Sequence, residues 1–236
     1  FPTMVPLDGG GTGFAINRKG HVLTNYHLVT SEIGNFRREA GALHREERCQ
    51  SLRVQVARKG EGGEWFWTDS QDVYLVSNPP CDRALRTVVQ GRAELREDTA
   101  LLRIVPPPGD CLRLSRAQPA LGSPVWMAGF PLRSARGSKS LASNGYADAD
   151  GTLRISAGHV TAIEPPDYFT TDLDGSMGNS GSPVVAADGG VIGIFSRATG
   201  DGPRNAFAYG FVQRVHVTSD LAFRGLELEL DMVGGD

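Results

Sequence analysis

The chain has 236 residues, of which 40% are hydrophobic and 22% are charged, and its formal net charge is −3. A chain of this length and composition buries a sizeable core as a globular protein, and intrinsic disorder is excluded. The slight acidic excess argues against a general nucleic-acid binder, which usually has a basic excess. No apolar run approaches the roughly 18 residues that a membrane span needs.

Short runs rich in β-branched and aromatic residues recur along the chain, bounded by Gly, Pro, Asn or Asp. They are residues 22–24, 54–57, 64–68, 73–76, 86–90, 101–105, 152–156 and 191–195. Turn sequences such as Lys19–Gly20 separate several of them. Helical periodicity is scarce, and residues 30–48 are predicted as a short helix plus a solvated loop. The pattern predicts an all-β protein built from barrels or sandwiches.

A proline-rich segment at 106–109, with Pro119 further on, resembles a linker and divides the chain into two similar halves. We place the boundary between domains 1–113 and 114–236. Near the C-terminus, residues 226–230 alternate apolar and acidic side chains, which fits a strand, although one helical face also fits.

The three cysteines, Cys49, Cys81 and Cys111, allow at most one internal disulfide. Neither a C-x-x-C pair nor a cysteine–histidine cluster with zinc spacing occurs in the sequence. The sequence therefore predicts no metal site and no cofactor.

Three segments contain residue types that acyl transfer uses. His27 ends the segment Thr24–His27, just after the apolar run 22–24. Asp98 precedes the run 101–105, and Ser180 lies between Gly178 and Gly181. Taken alone, the histidine is more often structural and the aspartate a turn residue. The glycines allow a tight turn and the close approach of a substrate backbone.

Together the three segments indicate a serine hydrolase. A serine nucleophile needs a base for its proton, an acid that fixes the tautomer of that base, and donors for the oxyanion. Ser180, His27 and Asp98 supply the first three groups, and the backbone N–H groups of Gly178 and Ser180 supply an oxyanion hole.

The segments TNYH, DTALL and GNSGSP resemble the histidine, aspartate and serine motifs of the chymotrypsin-like (trypsin-like) serine proteases, in that family's order. The resemblance runs from Gly11 to about Arg197 and is strongest to bacterial glutamyl endopeptidases, HtrA-type proteases and chymotrypsin-fold dipeptidyl peptidases. It implies two six-stranded antiparallel β-barrels with the active site in the cleft between them. His27 and Asp98 would come from the first barrel and Ser180 from the second.

Two departures from the family qualify this resemblance. Asn179 stands where the animal enzymes carry an acid that pairs with a new N-terminal ammonium, and an amide cannot form that ion pair. We therefore expect activity to be independent of a buried N-terminal ammonium. The chain also has no room for the helical insertion of the dipeptidyl peptidases, which favours an endopeptidase.

Substrate specificity is less well defined. Asp174 and Gly175 lie at the offset from Ser180 where the family places its pocket for the residue before the scissile bond, and an acid there favours Lys or Arg. The resemblance makes Phe195, Ser196, Arg197 and Ala198 the opposite wall and assigns the last three to pairing with the substrate backbone. Arg197 would neutralise Asp174 or attract an acidic residue. Phe195 replaces the histidine of the glutamyl endopeptidases, and a basic, small, apolar or acidic preference stays open.

The sequence thus predicts a serine endopeptidase that acts on protein or peptide substrates through an acyl-enzyme. The rival prediction is a catalytically silent protease fold that binds peptides or a partner protein. An activating partner, additional domains in a longer protein and removal of a pro-segment stay open. The resemblance favours a secreted or periplasmic location, and a cytoplasmic location stays open.

Overall fold

The computed structural model describes residues 3–7, 10–29, 47–77, 98–115, 117–131, 153–164, 168–175, 178–199, 209–214 and 232–233. Within these ranges the chain forms β-strands joined by turns, and its helical structure is a 3₁₀ helix at Tyr26–Leu28. The strands are β1 (Met4–Leu7), β2 (Gly11–Ala15), β3 (His21–Thr24), β4 (Glu47–Arg48), β5 (Gln55–Lys59), β6 (Trp65–Asp69), β7 (Asp72–Ser77), β8 (Ala100–Val105), β9 (Leu114–Ser115), β10 (Pro124–Gly129), β11 (Arg154–Glu164), β12 (Tyr168–Thr171), β13 (Pro183–Ala186), β14 (Val191–Thr199), β15 (Tyr209–Arg214) and β16 (Met232–Val233).

The N-terminal half contains a six-stranded antiparallel sheet in the order β1-β2-β3-β8-β7-β4. Strands β5 and β6 form a separate antiparallel pair, and a bridge between Leu7 and Val54 connects β1 to the chain just before β5. Lys19–Gly20 forms the predicted turn between β2 and β3, where Gly20 has a positive φ of 92°.

The C-terminal half contains an eight-stranded sheet in the order β13-β10-β11-β12-β15-β14-β9-β16. Strand β13 also pairs with β14, so that antiparallel pairing closes a ring of six strands, β10 to β15. Side chains of this ring, including Met127, Phe169, Val184 and Phe195, pack into one buried cluster.

The central strands of the N-terminal sheet are apolar on both faces because each face is covered. In β8, Leu102 and Ile104 pack into the core of the N-terminal half, whereas Leu101 packs into a second cluster shared with Phe130 and Ile194 of the other half. Alternate side chains of a strand point to opposite faces, so a continuous apolar run is expected where both faces are buried. Complete burial of a side chain such as Leu101 stabilises the fold by about 1.5–3 kcal/mol.

The mostly-β architecture predicted from the sequence is confirmed. Seven of the eight predicted runs overlap observed strands, and the eighth, 86–90, lies outside the described residues. The finer prediction of two six-stranded barrels stays a prediction, since the described N-terminal strands divide into a six-stranded sheet and the pair β5–β6.

The expected helix and loop at 30–48 differ from the structure at their end. Glu47–Arg48 forms β4 and pairs with Leu75 and Tyr74 of β7, because backbone pairing at a sheet edge overrides a weak local preference. Residues 30–46 of this prediction, and the C-terminal alternation at 226–230, lie outside the described residues. Within the described part of the chain, no helix is long and apolar enough to span a membrane.

Candidate active site

Strand register places Asp98 beside His27. Strands β3 and β8 are antiparallel with Thr24 opposite Ala100, so the residues just beyond the two strand ends meet. Accordingly, the Tyr26 N–H donates to the carbonyl oxygen of Asp98 at 3.1 Å. The 3₁₀ turn that begins at Tyr26 then carries His27 past the end of β3.

The Asp98 carboxylate holds His27 at two points. Its Oδ1 accepts the backbone N–H of His27 at 2.9 Å, and its Oδ2 lies 2.8 Å from the ring Nδ1. Asp98 is fully buried, whereas the His27 side chain is 38% exposed. A buried carboxylate is stable only when its oxygens are hydrogen-bonded, and donation from Nδ1 makes Nε2 the basic nitrogen of the ring.

Asn25 fixes the backbone of the same segment. Its Nδ2 donates to the Asp98 carbonyl at 2.8 Å, so this carbonyl accepts one bond from Asn25 and one from Tyr26. Asn25 is fully buried and precedes the 3₁₀ helix in extended conformation. Sequence reasoning quoted this residue within the TNYH motif but assigned it no role. Its hydrogen bond joins residues 73 apart, and the local sequence gives no signal for that contact.

Ser196 connects the N-terminal pair to the C-terminal half. Its hydroxyl donates to Asp98 Oδ2 at 2.5 Å, and it is buried at a register shift in β14 between Phe195 and Arg197. The sequence placed Ser196 only in the substrate-binding wall. Its contact with Asp98 is a tertiary one that no local motif indicated.

The segment around Ser180 is a tight turn ahead of β13. Gly178 and Gly181 have positive φ values of 95° and 86°, a conformation that glycine adopts without steric cost. The Gly181 N–H donates to the Phe195 carbonyl at 2.8 Å, and the Ser182 N–H donates to the Asn179 carbonyl at 3.0 Å. These bonds hold a partly exposed Ser180 at the end of the loop.

The side chains of His27, Asp98 and Ser180 are brought together around Ser196. The Ser180 hydroxyl donates to the Ser196 carbonyl at 3.1 Å, and the Ser196 hydroxyl contacts the carboxylate that holds His27. A histidine held by a buried acid that is connected through Ser196 to a partly exposed serine supplies the groups that acyl transfer needs.

The residues predicted to form the substrate pocket lie along two facing segments. A Cβ atom at Gly175 would be 2.1 Å from Cζ of Phe195, so the tip of this buried ring rests on the Gly175 backbone. Asp174 is partly buried. In β14, Arg197 pairs with Phe211 and Ala198 with Gly210. The Arg197 side chain lies outside the described part of the structure, and its predicted roles stay predictions.

Among the described residues, no three His, Cys, Asp or Glu side chains are placed to hold a metal ion.

Comparison of the structure with solved structures gives matches near a TM-score of 0.5. The inactive form of Rv3671c from Mycobacterium tuberculosis H37Rv, a serine-to-alanine mutant, has 20% identity and a TM-score of 0.51, over 90% of this chain and 81% of that chain. A serine endoprotease from Yersinia pestis has 18% identity and a TM-score of 0.53, over 90% of this chain and 58% of that chain. Deg5 has 20% identity and a TM-score of 0.51, over 83% of this chain and 79% of that chain.

These identities are low, and the structural matches establish the fold. Comparison with curated protein sequences found no match. The sequence model of the trypsin-like peptidase domain, in contrast, matches residues 11–194, which is most of the chain. The matched range includes His27, Asp98 and Ser180. The chain therefore belongs to the trypsin-like peptidase family, and it is a chymotrypsin-like serine protease.

Proposed function

We propose that this protease is an endopeptidase in which Ser180 is the nucleophile, His27 the general base and Asp98 the residue that orients His27. The observation that carries the proposal is the buried Asp98 carboxylate, which contacts the backbone N–H and the ring Nδ1 of His27. Through Ser196, the same carboxylate is connected to the hydroxyl of Ser180.

In the proposed reaction, the Ser180 hydroxyl turns from the Ser196 carbonyl toward Nε2 of His27. Its oxygen then attacks the scissile carbonyl carbon while the ring takes its proton. The N–H groups of Gly178 and Ser180 hold the oxyanion, and Asp98 stabilises the imidazolium. His27 gives the proton to the leaving amine, and water hydrolyses the acyl-enzyme by the same steps in reverse order.

The substrate backbone is proposed to pair with β14 at residues 196–198. One edge of this segment is occupied by β15, through Arg197 with Phe211 and Ala198 with Gly210. On the opposite edge, the described pairing with β13 ends at Ile194, and the Ser180 loop follows. An extended peptide that adds to this edge would pass directly beside Ser180, which is the geometry of strand addition.

Among the open specificities, the structure favours a small residue before the scissile bond. The Phe195 ring rests on the backbone of Gly175 and takes up the space beside it. A lysine or arginine side chain would need that space to reach Asp174. We therefore propose a preference for small residues such as alanine, with Phe195 as the residue that limits side-chain length.

The proposed site lies between the two proposed domains, 1–113 and 114–236, each taken as a six-stranded barrel. Its base and orienting acid come from the first and its nucleophile from the second. The cluster that includes Leu101, Phe130 and Ile194 packs the halves against each other and supports this arrangement.

A mixed peptide library tests the proposal, with wild-type protein, Ser180→Ala and Ser182→Ala compared at matched concentration. The expected result is internal cleavage after small residues by wild type and Ser182→Ala, and a loss of roughly 10⁴–10⁶-fold in kcat for Ser180→Ala. Ser182 is a matched control because its hydroxyl, two residues from the nucleophile, is buried without a hydrogen-bond partner among the described residues.

Cleavage by Ser180→Ala at the wild-type rate would overturn the assignment of the nucleophile. Release of two residues at a time from the N-terminus of the substrate peptides would show an exopeptidase and overturn the endopeptidase proposal. A folded wild-type protein without any cleavage would favour the silent peptide-binding fold.

A further inference from the structure

One residue of the N-terminal sheet makes three hydrogen bonds to the C-terminal half. Thr12, in β2, is fully buried, and its backbone N–H donates to the Ser180 carbonyl at 2.8 Å. Its hydroxyl donates to the Gly178 carbonyl at 2.8 Å and accepts the Phe130 N–H at 3.1 Å. Thr12 therefore contacts both residues of the proposed oxyanion hole, of which Ser180 is also the proposed nucleophile.

The contact with Gly178 controls a backbone that has little restraint of its own. Gly178 has a φ of 95°, and a glycine has no Cβ to limit rotation of its peptide groups. The Gly178 carbonyl shares its peptide plane with the Asn179 N–H, and this plane joins the two residues whose N–H groups would face the oxyanion. The Thr12 hydroxyl both donates to Gly178 and accepts from Phe130, so its rotational position is set. It therefore holds the Gly178 carbonyl in one orientation.

Thr12 is also connected to the strand that carries His27. The hydroxyl of Thr24, in β3, donates to the Thr12 carbonyl at 2.7 Å. Gly181 packs against the same carbonyl, since a Cβ there would lie 1.9 Å from it. A continuous path of hydrogen bonds therefore runs from β3 through Thr12 to the Ser180 loop.

We propose that Thr12 is a positioning residue that sets the oxyanion-hole loop against the strand carrying the base, and that its hydroxyl acts mainly on the transition state. This inference rests on the proposed function of Ser180, Gly178 and His27. The hydroxyl does not face the proposed substrate path, because it is buried and saturated by Gly178 and Phe130. Its loss should disturb oxyanion binding more than substrate binding.

Thr12→Val tests the proposal, because valine keeps the shape of the side chain and removes the hydroxyl. We expect kcat to fall about 10–100-fold, as for a displaced oxyanion donor, with KM changed less than about threefold. The affinity for a peptide boronic acid, which mimics the tetrahedral adduct, should fall in parallel with kcat. Thr12→Ser restores the hydroxyl and should recover kcat to within about threefold.

Thr170→Val is the matched control. Thr170 is a buried threonine of β12 whose hydroxyl bonds to the hydroxyl of Thr161, at 2.8 Å. The same substitution there also removes one buried hydroxyl, and we expect kcat to stay within about twofold of wild type. If Thr12→Val does not fold, Thr12→Cys gives a graded test, since a thiol is a weaker donor and should give a kcat below that of Thr12→Ser.

The hydrogen-exchange rates of the Gly181 and Ser182 amides report on the order of the Ser180 loop without requiring catalysis. They are measured by NMR under conditions in which the variants have the same free energy of unfolding. Both amides are hydrogen-bonded, and Thr12→Val should speed their exchange about tenfold or more, unlike Thr170→Val. Unchanged exchange and unchanged kcat in Thr12→Val would overturn the proposal, as would equal losses in Thr12→Val and Thr170→Val. A wild-type protein that cleaves no peptide overturns the proposed function, and the exchange data then still decide the role of Thr12.

Discussion

The two sides of the proposed active site are built by different means. On the N-terminal side, the register of β3 against β8 places Asp98 next to His27, and the buried carboxylate then holds the backbone and the ring of the histidine. On the C-terminal side, Ser180 lies in a turn with two positive-φ glycines, held by bonds to Thr12 and Phe195.

This difference has a physical consequence for how each side responds to mutation. The contact between Asp98 and His27 is set mainly by the register of one sheet, so a change in Asp98 should alter chemistry while the fold persists. A loop held by contacts across the halves depends on close packing at particular atoms. Changes there should alter stability and activity together.

Asp98→Asn should have the largest effect. The amide keeps the shape of the side chain but presents an N–H where the His27 Nδ1 or the Ser196 hydroxyl now donates. We expect kcat to fall by roughly 10³–10⁴-fold, because the wrong tautomer of the histidine is stabilised. Steady-state kinetics give the loss, and an unchanged circular dichroism spectrum would separate it from misfolding. A loss below tenfold would contradict the proposed role of Asp98.

Gly181→Ala should follow, with combined effects on stability and activity. A Cβ at Gly181 would lie 1.9 Å from the Thr12 carbonyl, and its φ of 86° disfavours any other residue. We expect the free energy of unfolding to drop by about 3 kcal/mol or more in urea titrations, beyond the roughly 1–2 kcal/mol of an unfavourable φ alone.

Gly189→Ala is the matched control for that measurement. Gly189 has a similar φ of 80°, but a Cβ there meets no atom of the described part of the chain within 4 Å. Its loss should be limited to about 1–2 kcal/mol, with kcat unaffected. Equal losses for the two variants would show that the packing against Thr12 is unimportant.

Ser196→Ala should have an intermediate effect on activity. It removes the hydroxyl that donates to Asp98 and keeps the carbonyl that accepts from Ser180. Because this bond helps to hold the carboxylate that orients His27, we expect kcat to fall roughly 10–100-fold. Kinetics at several pH values test this, and a change confined to KM would instead assign Ser196 to substrate binding.

The smallest expected effect is that of extending the chain ahead of Phe1. Asn179 is buried in the Ser180 loop and carries no charge to pair with an N-terminal ammonium. With the loop held by its glycines and by Thr12, we expect kcat/KM to stay within about twofold. A large loss on extension, recovered by proteolytic removal of the added residues, would contradict this view.

The sequence predicted the N-terminal side better than its connections. Short apolar runs predicted the strands observed as β3 and β8, and the structure brings the flanking His27 and Asp98 into contact because these strands are antiparallel neighbours. The catalytic roles of the two residues stay predictions. The two glycines around Ser180 likewise indicated a tight turn, and the structure has both at positive φ.

The contacts between the halves were missed for a common reason. Thr12 bonds to residues more than 100 positions away, and Ser196 reaches Asp98 across 98 positions. Threonine and serine are ordinary strand residues, so their local sequence carries no sign of such partners. The sequence left the substrate preference open because its evidence was the offset of Asp174 from Ser180, whereas the packing of Phe195 on Gly175 is a tertiary contact.

The most direct test of the central claim is the rate at which a fluorophosphonate labels the protein, with the adduct mapped by mass spectrometry. For wild type we predict an adduct on Ser180, because His27 takes the proton of the attacking hydroxyl. Asp98→Asn should slow this labelling by roughly 10³-fold or more at pH 7. An adduct on another residue, or equal labelling rates for wild type and Asp98→Asn, would contradict the claim that Asp98 and His27 activate Ser180.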